Sequence, residues 1–569
     1  MKGTAVILAL LGGVLLSGPA LADRCGDRST PLSKVQGGGQ ASPLAGHRVD
    51  VEGVITLDGR GPEGLGGFYL QALPGHADSD PTTSDAVFVY TRASGGAVGQ
   101  HVRVSGRVKE YHGLTEIAAG SEVRVCGRSG LPEPVVLSFP LPADPEALEG
   151  MRTRFADPVT VVDTHDLGRF GVVTLAADDP RYPDSLAPQD RILLDDRRLD
   201  QNPADLPLPR PGLAADHSLR AGSLLAPVQG VLDYRYDRWR LQPDRWSTVV
   251  GGNDRPARPE APADNTLRVA SFNLLNFFNG DGRGQGFPTA RGADSAAELE
   301  RQRQKLASAI EGLRADIVGV MELENDGHGP ESAAADLVAA LGHDWASVRP
   351  QEAGDDAIRV GLLYRADRVE PVGESASLDE SPFNTYSRVP LAQTFRMLDG
   401  GGTLRVVVNH FKSRSCRHAR GANADQHDGE GCYAPVRARS ARVLRAWLAD
   451  LPSRDTLVLG DLNSHASDTP LQILADAGFR RPSVLAGDDG YSYRFHGVRG
   501  TLDYILPDPS LRARVVGGAV WHINADEPPV LDYNLEYHPD GRAVRLYGPG
   551  PWRSSDHDPV YLDLRLGAD

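Results

Sequence analysis

Leu457-Val458-Leu459-Gly460-Asp461-Leu462-Asn463-Ser464 is the stretch from which the fold of this chain is read. Thr456 to Leu459 are apolar or β-branched without a polar break, the signature of a fully buried strand. Gly460 lets the backbone approach a neighbour closely, and Asp461 and Asn463 follow at a spacing of two. Residues i and i+2 point to the same side of a strand, so this one ends by presenting a carboxylate beside a carboxamide. An anion there is costly to desolvate unless it is hydrogen-bonded or meets a cation. The plainer alternative is a strand ending in an Asx turn, where Asp and Asn are common.

The same pattern recurs through the C-terminal half. Strands are expected at Leu267–Phe272, ending in Asn273, at Ile317–Met321, ending in Glu322, and at Leu404–Val408, just before His410. Leu502–Leu506 carries Asp503, Val360–Tyr364 adds another strand, and Ser555-Asp556-His557-Asp558 precedes a last one at Val560–Leu564. Helical spacing runs from Ala296 to Arg314, with Leu299, Leu306, Ile310 and Leu313 apolar among charges; Asp336–Leu341 reads as a short helix. Helices interleaved with buried strands predict an α/β sandwich of two sheets. Each polar strand end is explicable alone; their accumulation in one domain points to a site.

Upstream the character is different. The chain has 569 residues, roughly three to four domains' worth. Residues 1–22 show a signal peptide pattern: Lys2, an apolar run from Ala5 to Leu16, and the small-x-small site Ala20-Leu21-Ala22. The run is too short to span a ~30 Å membrane core comfortably. Cleavage after Ala22 and secretion, extracellular or periplasmic, are therefore expected. Residues 23–130 contain short alternating runs such as Val49–Val54, Val87–Tyr90 and His101–Val108 between Gly-rich turns, which predict a small β-barrel. Residues 131–250 form a second β-rich region, whose Val228–Tyr234 echoes Val104–Tyr111 and suggests a second barrel; chance similarity between strands is the competing reading. Residues 251–265 are polar and Pro-rich, a linker composition, and 266–569 form the last domain.

Cys25, Cys126, Cys416 and Cys432 allow three pairings; their positions favour Cys25–Cys126 and Cys416–Cys432, and an oxidising compartment favours bonded over free thiols. The net charge of −16 argues against a generally basic nucleic-acid coat, though not against an enzyme whose site is locally basic or metal-neutralised. No aromatic-rich hairpin or amphipathic basic helix suggests a membrane partner. A monomer is expected.

Gly-Asp-x-Asn at 460–463 and Ser-Asp-His at 555–557, together with the other strand ends, resemble the endonuclease/exonuclease/phosphatase superfamily, the deoxyribonuclease-I-like fold, over roughly residues 266–566. Asn409-His410-Phe411-Lys412-Ser413, the run Trp521–Pro528 and the Cys416–Cys432 insert with Asp425-Gln426-His427-Asp428-Gly429 resemble its secreted bacterial nucleases. Residues 23–130 resemble the OB-like domain in front of the catalytic domain in those enzymes. The resemblance implies a four-layered α/β sandwich preceded by small OB-like β-barrel domains. It also implies a metal-dependent nuclease acting on DNA, with RNA as a second substrate.

By the same resemblance, Asn273, Glu322 and Asp556 form an oxygen-rich site suited to Mg²⁺, with Mn²⁺ or Ca²⁺ as alternatives. Asp461 orients and deprotonates the attacking water, and Asn463 holds a non-bridging oxygen or a metal water. His557 is held by Asp503 in a carboxylate–histidine pair. His410 protonates the leaving oxygen. Some relatives support that histidine with a carboxylate before the strand at Val360; here the run is Asp355-Asp356-Ala357-Ile358-Arg359, which leaves its partner open. Arg388, Lys412, Arg414 and Arg494 lie beside motif residues and are candidates for substrate phosphates, with solvated surface charge as the alternative. Asp425 and Asp428 would suit a Ca²⁺, but a solvent-facing acidic loop is the stronger reading. Two rival functions are a sphingomyelinase-like lipid phosphodiesterase and a non-catalytic nucleic-acid-binding surface protein; every expected ligand position is filled, which counts against the second.

Overall fold

Long alternating strands close on themselves near the N-terminus, and shorter ones downstream stay open. The structure, a computed structural model, describes residues 24–452, 455–487, 490–539 and 541–567; the signal peptide expected at 1–22 lies outside them. Two compact units are present. One comprises the described residues up to Arg60 with Gly66–Glu133 and Glu146–Met151; the other comprises Gly61–Leu65, Pro134–Pro145 and the chain from Arg152 onward.

The first unit is a closed barrel of five strands, in order Arg48–Gly59, Gly67–Gln71, Ala86–Tyr90, Leu114–Arg128 and Gln100–Tyr111. All neighbours are antiparallel except Ala86–Tyr90 with Leu114–Arg128. The period-two pattern turns Val51, Ile55, Phe68, Val87, Val104 and Ile117 inward as one core. At Gly53 a Cβ would sit 2.6 Å from the carbonyl oxygen of Gln71, so only glycine lets the first strand bend this closely past the second. Cys25 is bonded to Cys126.

In the second unit, the β-rich region is a nine-stranded sheet with Val249–Gly251 and Val135–Leu137 at its edges, which corrects the expectation of a second barrel. The echo seen in the sequence is a shared hairpin: Gln229–Arg235 pairs with Arg238–Pro243 as Gln100–Tyr111 pairs with Leu114–Arg128. The barrel hairpin has strands of 12 and 15 residues, whereas the longest strand of the open sheet has 7. Its edge strands Val249–Gly251 and Val135–Leu137 do not pair with each other, so the sheet stays open. Residues 252–266 carry no helix or strand, yet they are pinned: Asn253 donates to Asp526 Oδ2 at 2.6 Å and Arg255 to Glu527 Oε2 at 2.9 Å.

Besides a two-stranded sheet, Tyr493–Phe495 with Val498–Gly500, the C-terminal half contains two large sheets. One runs Trp345–Ser347, Ile358–Arg365, Ile317–Glu324, Leu267–Phe277, Val560–Leu564, Val515–Val520; the other runs Val369–Ser377, Leu391–Met397, Thr403–His410, Thr456–Asp461, Asp503–Pro507. Their facing residues share a core, with Val269, Ile317 and Leu362 against Val406, Leu457 and Leu459. The opposite faces bury helices. Leu299, Leu306 and Ile310 of the helix Ala296–Leu313 pack with Phe272 and Val320, and Leu444 and Leu474 pack with Val458 and Leu506. Thr456–Asp461 is thus buried throughout, with an apolar run at Leu457–Leu459, because both its faces are covered. Ser295 caps the first helix by accepting the amide of Glu298, whose carboxylate reaches back to the amide of Asp294 at 2.6 Å. The helix Ala434–Asp450 follows the Cys416–Cys432 bond. Its arginine-rich sequence masks a buried face of Val436, Ala441 and Leu444, and the sequence reading missed it.

Candidate active site

The strand carrying Asp461 runs parallel to the one carrying His410 and antiparallel to the one carrying Asp503, which places Asp461 level with both. Gly460 makes that register possible: its φ is +130° and a Cβ would lie 1.9 Å from the carbonyl oxygen of Asn409. The strand ends at Asp461, and Asn463 has a φ of +47°. The carboxamide is therefore brought beside the carboxylate by a turn and not by the pleat, a correction to the period-two argument. Asp461 Oδ1 accepts the Asn463 amide at 2.8 Å, and Asn463 Nδ2 lies 3.1 Å from Asp461 Oδ2. The Asx turn and the polar pair are the same object.

Asp461 Oδ2 is the centre of the constellation. His410 Nε2 lies 3.4 Å from it, Asn273 Nδ2 3.3 Å and His557 Nε2 4.0 Å. Burial by itself would raise the pKa of Asp461, but the hydrogen bond from His410 and the charge of His557 bring it down to about 2. Asn273 Nδ2 also reaches Glu322 Oε1 at 3.3 Å. Glu322 sits where its strand breaks register, with a φ of +61°, and its Oε2 accepts the amide of Asn276 at 3.1 Å.

His557 Nδ1 is 2.7 Å from Asp503 Oδ2, which also accepts Ser492 Oγ at 2.7 Å. Burial opposes charge on the imidazole, but the carboxylates of Asp503, Asp556 and Asp461 outweigh it and raise its pKa well above the ordinary range. Asp556 is half-buried beside it. Among the described residues, His410 Nδ1 is buried without a hydrogen-bond partner. Asp356, in the run where a supporting carboxylate was sought, instead lies 3.6 Å from Arg388 and 3.7 Å from Arg291.

Of the four cations, Arg388 lies within electrostatic reach of the acidic centre, and Lys412 sits over the ring of Tyr433 at 4.8 Å. Burial lowers the pKa of Arg388 while the charges of Asp356, Glu322 and Asp461 oppose that effect, and burial, with the charge of Arg388, lowers the pKa of Lys412. Arg414 is bound to Asp468 at 2.7 Å and to the carbonyl of Gly429 at 2.6 Å. Arg494 is sequestered: its side chain is 5% exposed and grips Asp179 at 2.5 Å and Asp526 at 2.7 Å. It is a structural clamp, which corrects its assignment to substrate phosphate. Asp425 and Asp428 accept the amides of His427 and Glu430 at 2.8 and 2.9 Å, as an exposed turn would.

The sequence reading assigned no role to several side chains around His557. Tyr493 lies with its ring 4.6 Å from the imidazole, and Asn524 Nδ2 donates to the His557 carbonyl at 2.6 Å. Asp558 accepts the amides of Asn524 and Ala525 at 2.7 and 3.0 Å and faces His522 Nδ1 at 2.9 Å. Gly490-Tyr491-Ser492-Tyr493 and the run Trp521–Pro528 were visible in the sequence, but aromatic and amide side chains carry no spacing signal of their own.

Asp461, Asp503 and His557 place a ligand-type atom each within 4.8 Å of one another. Two of these are already bonded to each other, so the donors better suited to a hard cation are the oxygens of Glu322, Asp461, Asn273 and Asp556. Among the described residues neither Glu322 nor Asp461 has a lysine or arginine ion pair, though one amide touches both. Two anions held so close fit a divalent cation.

These strand-borne carboxylates and the histidine–carboxylate pair lie within the part of the chain that a family model matches. The chain belongs to the endonuclease/exonuclease/phosphatase family, which matches residues 270–557. Members of that family are phosphoesterase hydrolases, often nucleases and typically dependent on a divalent metal. Residues 145–251 match a domain of unknown function. No curated protein matches the chain. Among solved structures, an endonuclease/exonuclease/phosphatase from Bacteroides vulgatus is 17% identical, covering 53% of this chain and 99% of that one, with a TM-score of 0.35. The human Nocturnin catalytic domain with bound sulfate is 17% identical, covering 53% and 95%, with a TM-score of 0.34. D. rerio TDP2 in complex with a single-strand DNA product is 16% identical, covering 53% and 99%, with a TM-score of 0.33.

Proposed function

We propose that this chain is a secreted, metal-dependent nuclease that hydrolyses phosphodiester bonds of extracellular DNA, with RNA as a second substrate. The observation that carries this reading is the position of Asp461 Oδ2, buried between the Nε2 atoms of His410 and His557 and beside Asn273. A carboxylate kept ionised there accepts the proton of an attacking water. Asn463 Nδ2 and His557 Nε2 face the space a non-bridging phosphate oxygen would take, and His410 gives its proton to the leaving oxygen. Asp503 fixes which nitrogen of His557 faces substrate. Glu322, Asn273 and Asp556 would hold Mg²⁺, with Mn²⁺ or Ca²⁺ as substitutes; such an ion supplies Lewis-acid neutralisation of phosphoryl charge. Arg388 and Lys412 offer cations at the rim.

Two bonded cysteine pairs support an oxidising compartment, in keeping with the expected leader. The C-terminal half is read as a four-layered α/β sandwich, its two sheets flanked by helices. The barrel is read as OB-like, supported by its closed five-strand order and its one parallel pair. The test is incubation of the purified mature protein with closed circular DNA, with Mg²⁺, with EDTA, and as His557→Ala. Nicking that needs Mg²⁺ and disappears in the variant is expected. Inertness toward every nucleic acid would overturn the reading and make sphingomyelin the next substrate to try.

A further inference from the structure

The β-rich region that matches only a domain of unknown function ends on the loop behind the histidine. Arg220, from that region, is 2% exposed. It donates to Glu527 Oε1 at 2.6 Å and to the His522 carbonyl at 2.8 Å, and it lies 3.4 Å from Asp526 Oδ2. The side chains of Asp526 and Glu527 are 0% exposed, so their charges depend on protein cations. On its other side, segment 522–527 holds the turn that bears the histidine. Asn524 Nδ2 donates to the His557 carbonyl, its Oδ1 accepts the Ser554 amide at 2.8 Å, and the amides of Asn524 and Ala525 bind Asp558.

A second tie reaches the same place. Asp179 of the β-rich region grips Arg494, which neighbours Ser492 and Tyr493. Ser492 binds Asp503, its carbonyl accepts the amide of Asp558 at 2.8 Å, and Tyr493 lies against His557. Segment 522–527 has one side bound to the β-rich region and the other to residues 554–558.

We infer that the β-rich region at residues 145–251 acts as a positioning element for the hydrolytic centre, with Arg220 its principal contact, holding His557 in place through Asp526, Glu527 and Asn524. The inference rests on the phosphodiesterase reading above. Small displacements of a reacting group are costly: a misplacement of about 1 Å lowers rates about a hundredfold. A joint that only glued two regions together would affect stability and leave the rate of the folded enzyme alone.

The test compares the full mature chain as wild type, Arg220→Met, Arg220→Lys and Arg542→Met. Arg542 is an internal control: equally buried, it binds carbonyls of Pro203 and Gly168 in the β-rich region. Turnover of bis(4-nitrophenyl) phosphate with Mg²⁺ is measured below the onset of unfolding, alongside amide hydrogen exchange in segments 522–527 and 553–558. Arg220→Met is expected to lower kcat about tenfold or more with KM little changed and to speed exchange in both segments. Arg220→Lys should recover part of the rate, while Arg542→Met should lower the melting temperature and leave kcat unchanged. Unchanged kcat and exchange in Arg220→Met, or equal kcat losses in the two methionine variants, would overturn the inference. If Arg220→Met does not fold, Arg220→Lys carries the same comparison, and wild-type kcat and exchange in it count against the inference. A wild type inactive on every phosphodiester would refute the functional reading instead, and the exchange comparison would still decide the positioning role.

Discussion

The Nδ1 atom of His557 lies 2.7 Å from Asp503 Oδ2, in a pair from which solvent is nearly excluded. Asp503→Asn keeps the shape but removes the charge and permits the wrong imidazole tautomer. We expect kcat on plasmid DNA to fall by about 10²–10⁴, the usual weight of an acid–base group and its orienter. KM should change little. A variant within twofold of wild type would remove this pair from the mechanism.

Glu322 and Asp461 meet through one amide without an arginine or lysine ion pair among the described residues. Calorimetric titration of metal-free protein with Mg²⁺ should give a binding isotherm that Glu322→Gln abolishes or weakens at least about tenfold. Mg²⁺ should also raise the melting temperature of the wild type and not of the variant.

Gly460 has a backbone conformation and a close neighbour that no side chain tolerates. Gly460→Ala should destabilise the second unit by about 1–3 kcal/mol from backbone strain alone. The shift in urea midpoint measures it. Activity should fall with it, because Asp461 is the next residue.

His465 stacks on Tyr182 at 3.6 Å between ring centres, and burial, with the charge of Arg414, lowers its pKa from 6.5 to about 3. The folded state therefore prefers a neutral imidazole, and the unfolded state binds the proton first. The resulting stability is fully present above 6.5 and is lost as pH falls toward 3. Urea midpoints measured from pH 7 to pH 4 should decline, and His465→Gln should flatten that decline. An identical slope in the variant would show that other groups carry the acid sensitivity.

The Cys416–Cys432 bond closes 16 residues of chain and Cys25–Cys126 closes 101. In the chain-entropy account these are worth about 3 and about 4.7 kcal/mol. Cys25→Ser/Cys126→Ser should therefore lower the unfolding transition of the barrel more than Cys416→Ser/Cys432→Ser lowers that of the second unit. Calorimetric scans of both variants check the order.

Much of the site was legible because a polar residue at the margin of an apolar run announces itself: His410 and Asp461 close their strands, Asp503 opens its own, and Asn273 and Glu322 follow apolar runs in strands that continue to Phe277 and Glu324. Arg494 was misread for a related reason. Adjacency to a motif says that a charge is near the site and not which way it points, and alternation along Tyr493–Phe495 sends Arg494 away from Tyr493 toward Asp179 and Asp526. The open nine-stranded sheet escaped notice because closure depends on whether the two edge strands pair with each other, which short alternating runs do not encode. The helix at Ala434–Asp450 was hidden by its arginines, of which Arg437 is buried on the apolar face while Arg439, Arg442 and Arg445 are exposed.

By itself the sequence determined which segments are strands with two covered faces, and which acids, amides and imidazoles stand at their ends. Local pattern suffices for that, since burial selects side chains by period. Only the tertiary structure decided which of those ends meet. Asp461 reaches His410 through a parallel neighbour and Asp503 through an antiparallel one, and Asn273 comes from the opposing sheet. It also decided that Arg220 and Arg255, each more than 250 residues before Glu527, together supply that carboxylate's counter-charge. Such pairings lie far apart in the chain, and only the packing of buried charges against one another selects them.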